Sequence, residues 1–322
     1  MDENKIKSPY LKKNSRRREW KEKSIRFFFM LNGYTAVLFL LLIFIFLIQE
    51  ASMVIVDSGI LDFIYSHKVL EGGAEVRVFE WYPTSEDPRY SLIPLIMGTL
   101  MTALPATIIS SFFGIAVGIY LAEIASSRTR EILKPVIELF AGIPTVVMGF
   151  FIIAVVATFF QDLFGFLNRL NAFVASLGLS LIIIPIIASL SEEAMRAVPR
   201  ELRMASYSLG ATKWQTIIKV VVPSALSGIS AGIILGFGRA IGETMIVLMA
   251  TGNAAELTVD IFRSVRTMTA TIAAEMGEVS HQSSHYYALF FIGVVLFITT
   301  FILNLIASLV LGKMNKNRKF YE

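Results

Sequence analysis

Residues 196–253 read RAVPRELRMASYSLGATKWQTIIKVVVPSALSGISAGIILGFGRAIGETMIVLMATGN. The first half is polar and patterned for helix. The second half, from Ala225 onward, is apolar and striped with glycine, with an arginine and a glutamate in its middle. A polar helical segment running into a charged apolar helix implies a machine driven from one side of a membrane. The composition agrees. The 322 residues are 55% hydrophobic and only 17% charged, with mean hydropathy +0.66 and 25 Phe. The surface of a soluble domain needs more charge than that. Cys is absent, which excludes disulfides, thiolate chemistry and zinc–thiolate sites.

Apolar runs of about 20 residues are long enough to cross a hydrocarbon core as helices. They predict an all-α integral membrane bundle of about six transmembrane helices. Residues 1–26 form a basic tail, and 27–49 the first span. Residues 50–92 form a polar, acidic-leaning loop. The core, 93–311, holds the other spans: Ile93 to Glu123, interrupted by Pro105; Pro135 to Phe160, broken at Gly142-Ile143-Pro144; Ala172 to Leu190; Ala225 to Thr251; and Tyr286 to Leu311. Between them lie the polar segment 191–223 and a polar loop, 252–285, with one helix-like patch from Val265 to Val279. A short tail, 312–322, follows. Lys and Arg crowd into 1–26, 125–134, 191–223 and 312–322. By the positive-inside rule these are cytoplasmic, both termini included, in a multi-pass protein of the cell membrane. The N-terminal tail reads as a basic segment held at anionic lipid, in preference to a nucleic-acid site.

Within 191–223, Pro199 suits the first turn of a helix and Gly210 the position just past a helix end. Leu202, Ala205, Ser206 and Leu209 share one face between them. Thr212 and Gln215 have the spacing of a capping box for a second helix, Lys213 to Val222, which Pro223 ends. The segment is therefore two short helices joined at a glycine corner, a compact knob suited to transmitting force. The alternative is an amphipathic helix lying on the membrane surface.

The spacing of Ala205, Gly210 and Pro223 resembles the EAA-loop signature of ABC-importer permeases. The sequence departs from it at Met204, Ser206, Val220 and Val222, and the upstream Glu192-Glu193-Ala194 lies too far from Gly210 to supply the motif. With Gly236-Phe-Gly-Arg-Ala-Ile-Gly-Glu-Thr-Met245 and Gly252-Asn253, the stretch is similar to the permease subunits of phosphate-specific ABC importers, closer to the PstC type than to the PstA type. Gly142-Ile-Pro-Thr-Val-Val-Met-Gly149 and the start of the second span, Leu92 to Leu100, match as well. The resemblance covers most of residues 90–310. It implies a type I, MetI-like permease bundle forming the channel of an ATP-driven phosphate importer. It also implies ATP hydrolysis in a separate ATPase dimer, with no cofactor bound by this chain. A second, PstA-like permease and an extracytoplasmic phosphate-binding protein complete the implied assembly. Arg200, Arg203, Ala205, Ser206, Leu209 and Gly210 would form the coupling face toward the ATPase. Sulfate, molybdate or phosphonate permeases share the knob, and a secondary anion transporter is a further alternative.

On a continuous helix, advancing about 100° per residue from Gly228 brings Gly232, Gly236, Arg239 and Glu243 within one arc of about 80°. Glycine every four residues lets another backbone approach closely. An arginine at mid-membrane costs several kcal/mol, at least about 2.5, unless it is paired or watered. Two readings follow. Either Arg239 and Glu243 pair and lock helix packing, or they line the solute path. Arginine's planar donor fork suits phosphate oxygens. Glu243 would accept a hydrogen bond from a protonated phosphate oxygen, which sulfate lacks near neutral pH. Thr244 and Thr145 are weaker candidates on that path, since such hydroxyls often bond their own backbone. Glu138 is an alternative partner for Arg239. His281 and His285 stand four apart, but the residue after the first is Gln282, so the zinc-protease pattern is not met and no metal site is expected. No GxxxxGK[ST] occurs, so no ATP site of that kind is expected here. No catalytic grouping stands out.

Overall fold

The computed structural model describes residues 9–58, 67–71, 74–85 and 88–318. Residues 59–66, 72–73 and 86–87 of the acidic 50–92 loop and the ends of both basic tails lie outside the described residues. Among the described residues, six helices are long and apolar enough to cross a membrane: Trp20–Met53, Ile93–Ile124, Thr145–Phe164, Ala172–Arg196, Lys213–Gly242 and Ser284–Ile306. The chain divides into two compact units, Met1–Glu50 and Ala51–Glu322. The first is helical: it holds most of α1 (Pro9–Ser58), which extends well beyond the expected span at both ends.

After the end of α1, the second unit holds two small antiparallel ribbons in a segment expected to be only loop. β1 (His67–Glu71) pairs with β2 (Ala74–Val78), and β3 (Trp81–Tyr82) with β4 (Arg89–Tyr90). The helices follow. α2 (Ile93–Ile119) runs unbroken through Pro105, contrary to the expected interruption, and closes in a π-turn, Tyr120–Ile124. α3 (Ser127–Ala141) is a separate amphipathic helix with no buried residue. The third span therefore starts at Thr145, not Pro135. It consists of α4 (Thr145–Phe151), a π-turn at Ile152–Ala157 and α5 (Thr158–Phe164). α6 (Ala172–Arg196) is capped by the Asn171 side chain, which accepts the Val174 N–H at 2.9 Å.

At the corner, α7 (Arg200–Ser208) turns into α8 (Lys213–Thr216). Pro223 does not stop the second helix as expected. A π-turn at Ile217–Val221 widens the ladder just ahead of it, where the Val222 N–H reaches back to the Ile217 carbonyl. The proline ring then fits, and the helix continues as α9 (Val222–Gly242). α10 (Met245–Ala250), α11 (Met268–Glu275) and α12 (Ser284–Arg318) complete the chain.

The core lies where α2, α6, α9 and α10 meet, around Ala103, Ala106, Leu179, Ile183, Ile187, Ala240, Ile241 and Ile246. Lipid tails are as apolar as leucine, so close packing rather than water exclusion must hold such helices together. Glycine supplies it. A Cβ on Gly114 would stand 2.8 Å from the Ile187 Cβ, and one on Gly118 would stand 2.8 Å from the Ser191 Cβ.

Candidate functional site

The glycine stripe of α9 faces α6. A Cβ on Gly228 would lie 2.4 Å from that of Ala194, one on Gly232 3.2 Å from the Leu190 Cβ, and one on Gly236 2.7 Å from the Ile183 Cγ2. Arg239 and Glu243 do not share this contact, contrary to the helical-wheel expectation. α9 ends at Gly242, and Glu243 takes an extended backbone (φ −71°, ψ 136°). The span resumes only at Met245, so the fifth span is broken at its glutamate.

Glu243 is 8% exposed, and it occupies the break. Its Oε1 accepts the Met245 N–H at 3.1 Å, at the start of α10. Its carbonyl accepts the Thr269 hydroxyl at 2.7 Å, which ties the break to α11. An exposed backbone break inside lipid would leave polar groups unsatisfied, and these bonds answer part of that demand. Arg239 is exposed and forms no hydrogen bond or ion pair with any described residue. The expected Arg239–Glu243 pair is thus not formed. Glu138, the alternative partner, lies 4.0 Å from the Lys134 Nζ instead.

Thr145 and Thr244 each stand at a helix break. Thr145 is half-buried and opens α4 after Pro144. Thr244 is half-buried before α10, and its carbonyl accepts the Leu248 N–H at 2.9 Å. The two interrupted helices pack together, since a Cβ on Gly149 of α4 would come within 2.6 Å of the Met249 Sδ of α10. Discontinuous membrane helices placed side by side are a recurrent way to build a solute site at the midplane.

The corner between α7 and α9 has the predicted local chemistry. Gly210 takes φ +82°, which a side chain would resist. The capping box forms: the Thr212 hydroxyl accepts the Gln215 N–H at 3.3 Å, and the Gln215 Oε1 accepts the Thr212 N–H at 2.9 Å. Ser206 lies 2.9 Å from the Thr216 hydroxyl and joins the two helices. Arg200, Ala205 and Gly210 are exposed, Leu209 is 89% exposed, and Met204 and Trp214 also stand outward. Leu209 sits just past the end of α7 rather than within it. Arg203 turns inward: its Nη2 lies 2.7 Å from Glu123 Oε1 at the end of α2.

A second charged cluster joins α3 to α6, and sequence reasoning missed it. Glu192 is fully buried, yet it accepts from Arg130 Nε at 2.8 Å and Lys134 Nζ at 2.9 Å. Lys134 also reaches Glu193 at 3.0 Å. Burial alone would lower the Lys134 ammonium, but the hydrogen bonds and charges of Glu192 and Glu193 outweigh it and hold the pKa above the ordinary lysine value. The signals were the basic 125–134 segment, which indicates only orientation, and the paired glutamates at 192–193, which lie too far from Gly210 to fit the motif.

At the end of the bundle opposite the corner, Glu275 collects three donors. They are Trp81 Nε1 at 3.0 Å, Arg266 Nη1 at 2.6 Å and His285 Nε2 at 2.8 Å. The cluster lines a cavity of about 310 Å³ and binds the β3–β4 ribbon to α11 and the start of α12. His281 instead packs on Tyr286, with ring centroids 4.6 Å apart and the rings tilted by 33°. Burial, and then the Glu275 charge, push the Tyr90 hydroxyl above its ordinary pKa.

Comparison with known proteins adds to this geometry. The family model of the binding-protein-dependent transport system inner membrane component matches residues 114–316. The chain is 37% identical over 222 residues to the probable ABC transporter permease protein YqgH of Bacillus subtilis, covering 69% of this chain and 72% of that protein. It is 32% identical over 256 residues to the phosphate transport system permease protein PstC of Xylella fastidiosa, covering 74% and 78% of the two chains. Its fold is similar to a chain of the MetNI methionine ABC transporter in an inward-facing conformation, with a TM-score of 0.51 and 20% identity over 67% of this chain and 94% of that one. With six membrane-length helices, a glycine-packed core and a family match over most of its length, this chain belongs to the binding-protein-dependent transport system inner membrane component family.

Proposed function

We propose that the chain is the PstC-type, channel-forming permease subunit of an ATP-driven inorganic phosphate importer. A second, PstA-like permease pairs with it around one path. Two ATPase subunits hold the corners on the cytoplasmic side, where both termini lie. An extracytoplasmic phosphate-binding protein delivers the anion to the opposite end. ATP is hydrolysed by the partner subunits, and this chain binds no cofactor.

The observation that carries the reading is Arg239. An exposed guanidinium with no described partner, in the last turn of a membrane helix, cannot face lipid without a cost of several kcal/mol, at least about 2.5. That face belongs against the second permease or along a wet path. Arginine presents a donor fork matched to phosphate oxygens. The breaks at Thr145 and at Glu243-Thr244 would offer hydroxyls and main-chain groups to such a path. Similarity to PstC supports phosphate as the anion.

The test is phosphate uptake by cells carrying the whole transporter, comparing wild type with Arg239→Gln at equal membrane levels and equal co-purified ATPase. Loss of a charge-assisted hydrogen bond predicts a fall of about tenfold or more. Unchanged uptake would place Arg239 in packing and remove the physical argument for anion selection.

A further inference from the structure

Arg203 is the most heavily bonded side chain of the corner. Its Nη1 donates to the Val198 carbonyl at 2.5 Å, and its Nη2 to the Met195 carbonyl at 2.8 Å. Met195 lies in the last turn of α6 and Val198 just past its end, where carbonyls lack the partners of a continuing helix. Nη2 and Nε also reach Glu123 Oε1, at 2.7 and 3.3 Å. The Arg203 and Glu123 side chains are only 16% and 9% exposed. Arg203 is thus not part of the outward surface that Met204 and Leu209 present on either side of α7. A carboxylate at the Met204 position would point outward. Of the charged residues of α7, Arg200 and Glu201 are exposed and Arg203 alone turns inward.

Glu123 has a particular location. It lies in the π-turn that closes α2, where the Ala125 N–H reaches back to the Tyr120 carbonyl at 2.8 Å. π-turns mark places where a helix departs from its regular ladder, often at functional sites. α2 itself packs along α6 through Gly114 and Gly118. One guanidinium therefore joins three elements: the corner helix, the end of the fourth span and the end of the second.

We propose that Arg203 and Glu123 are positioning residues for coupling: their ion pair fastens the corner to the second span, so that movement imposed on α7 by the ATPase is carried to α2 as well as to α6 and α9. The inference rests on the function proposed above. Low exposure strengthens the pair, because water and salt screen it little. The carbonyl bonds to α6 do not depend on Glu123. Removing the carboxylate releases α2 while α7 stays attached to α6.

The experiment uses the complete transporter with its binding protein in proteoliposomes, and reads phosphate transported per ATP hydrolysed. Glu123→Ala should assemble at the wild-type level and keep ATPase turnover within about twofold, while transport per ATP falls about fivefold or more, as expected when a coupling contact is lost. Glu123→Gln, which keeps a neutral acceptor, should fall between Glu123→Ala and wild type. It decides the matter if Glu123→Ala does not assemble. A purely structural role predicts less folded transporter, with uptake and hydrolysis reduced in proportion. An unchanged ratio in both variants therefore overturns the inference and leaves the proposed function standing. Wild-type complex with no ATP-dependent phosphate uptake overturns both.

Discussion

Gly228 passes Ala194 so closely that a Cβ built on it would stand 2.4 Å from the alanine's own. The contact holds the first turns of α9 against the last turns of α6, directly beside the corner. Gly228→Ala should lower stability by about 1–3 kcal/mol through overpacking. Ala194→Gly in the same chain should restore most of that loss. Thermal unfolding of the detergent-purified transporter measures both, and absence of rescue would show that α9 is not held at this point.

Glu192 predicts a different pattern. It is fully buried between Arg130 and Lys134, whereas Glu193, next to it, is 58% exposed. Breaking a buried charge cluster from the buried side is costly, and partial exposure of the cations reduces the effect, so Glu192→Gln should cost about 2 kcal/mol. Glu193→Gln should cost under about 0.5 kcal/mol. Comparable losses in the two variants would contradict the arrangement.

Lys134 adds a pH dependence. Its folded pKa lies above the ordinary value of 10.5, so it binds its proton more tightly folded than unfolded. Its contribution is then present in full below that value and is lost only as pH rises through the folded pKa. The stability difference between wild type and Lys134→Met should be flat from about pH 6 to about pH 9 and shrink only above the ordinary lysine range. A difference that vanished between those limits would disprove the ammonium tie.

Glu243 should reveal its capping role through the choice of replacement. Glu243→Gln keeps an oxygen for the Met245 N–H, while Glu243→Ala removes it. Alanine should cost about 1 kcal/mol, as at other helix starts, and glutamine clearly less. Equal costs in thermal unfolding would mean that the hydrogen bond does not hold the break.

The β3–β4 ribbon provides the last test. Trp81 is fully buried and donates to Glu275. Trp81→Phe keeps an aromatic ring but removes the indole N–H and part of the buried volume, leaving the carboxylate one donor short, at a cost of at least about 1 kcal/mol. Limited proteolysis should cut between Tyr82 and Arg89 faster in the variant than in wild type.

The features legible in the sequence are those decided within a few residues of themselves. Gly210 and the Thr212–Gln215 box specify the corner locally, and apolar run length alone identifies six membrane helices. Glu243 was misplaced because a helical wheel assumes an unbroken helix, and the bond from Thr269 that stabilises the break comes from 26 residues away. Pro223 misled because a proline signals termination only where no π-turn precedes it. Glu192 and Arg130 lie 62 residues apart, and Arg203 and Glu123 lie 80 apart. No local pattern joins such partners. They meet only because α2, α3, α6 and α7 end together.

From Lys213 to Gly242 the fifth span is helical throughout, passing through the π-turn at Ile217–Val221, and is about 45 Å long at helical rise. One end is the capped corner and the other is the break at Glu243. A rod of that length converts a tilt of a few degrees at the corner into about 3 Å at its far tip. Beyond the tip, the chain is anchored elsewhere, to α11 through Thr269. The glutamate therefore marks a seam across the fifth span, with one half belonging mechanically to the corner and the other to the opposite end of the bundle.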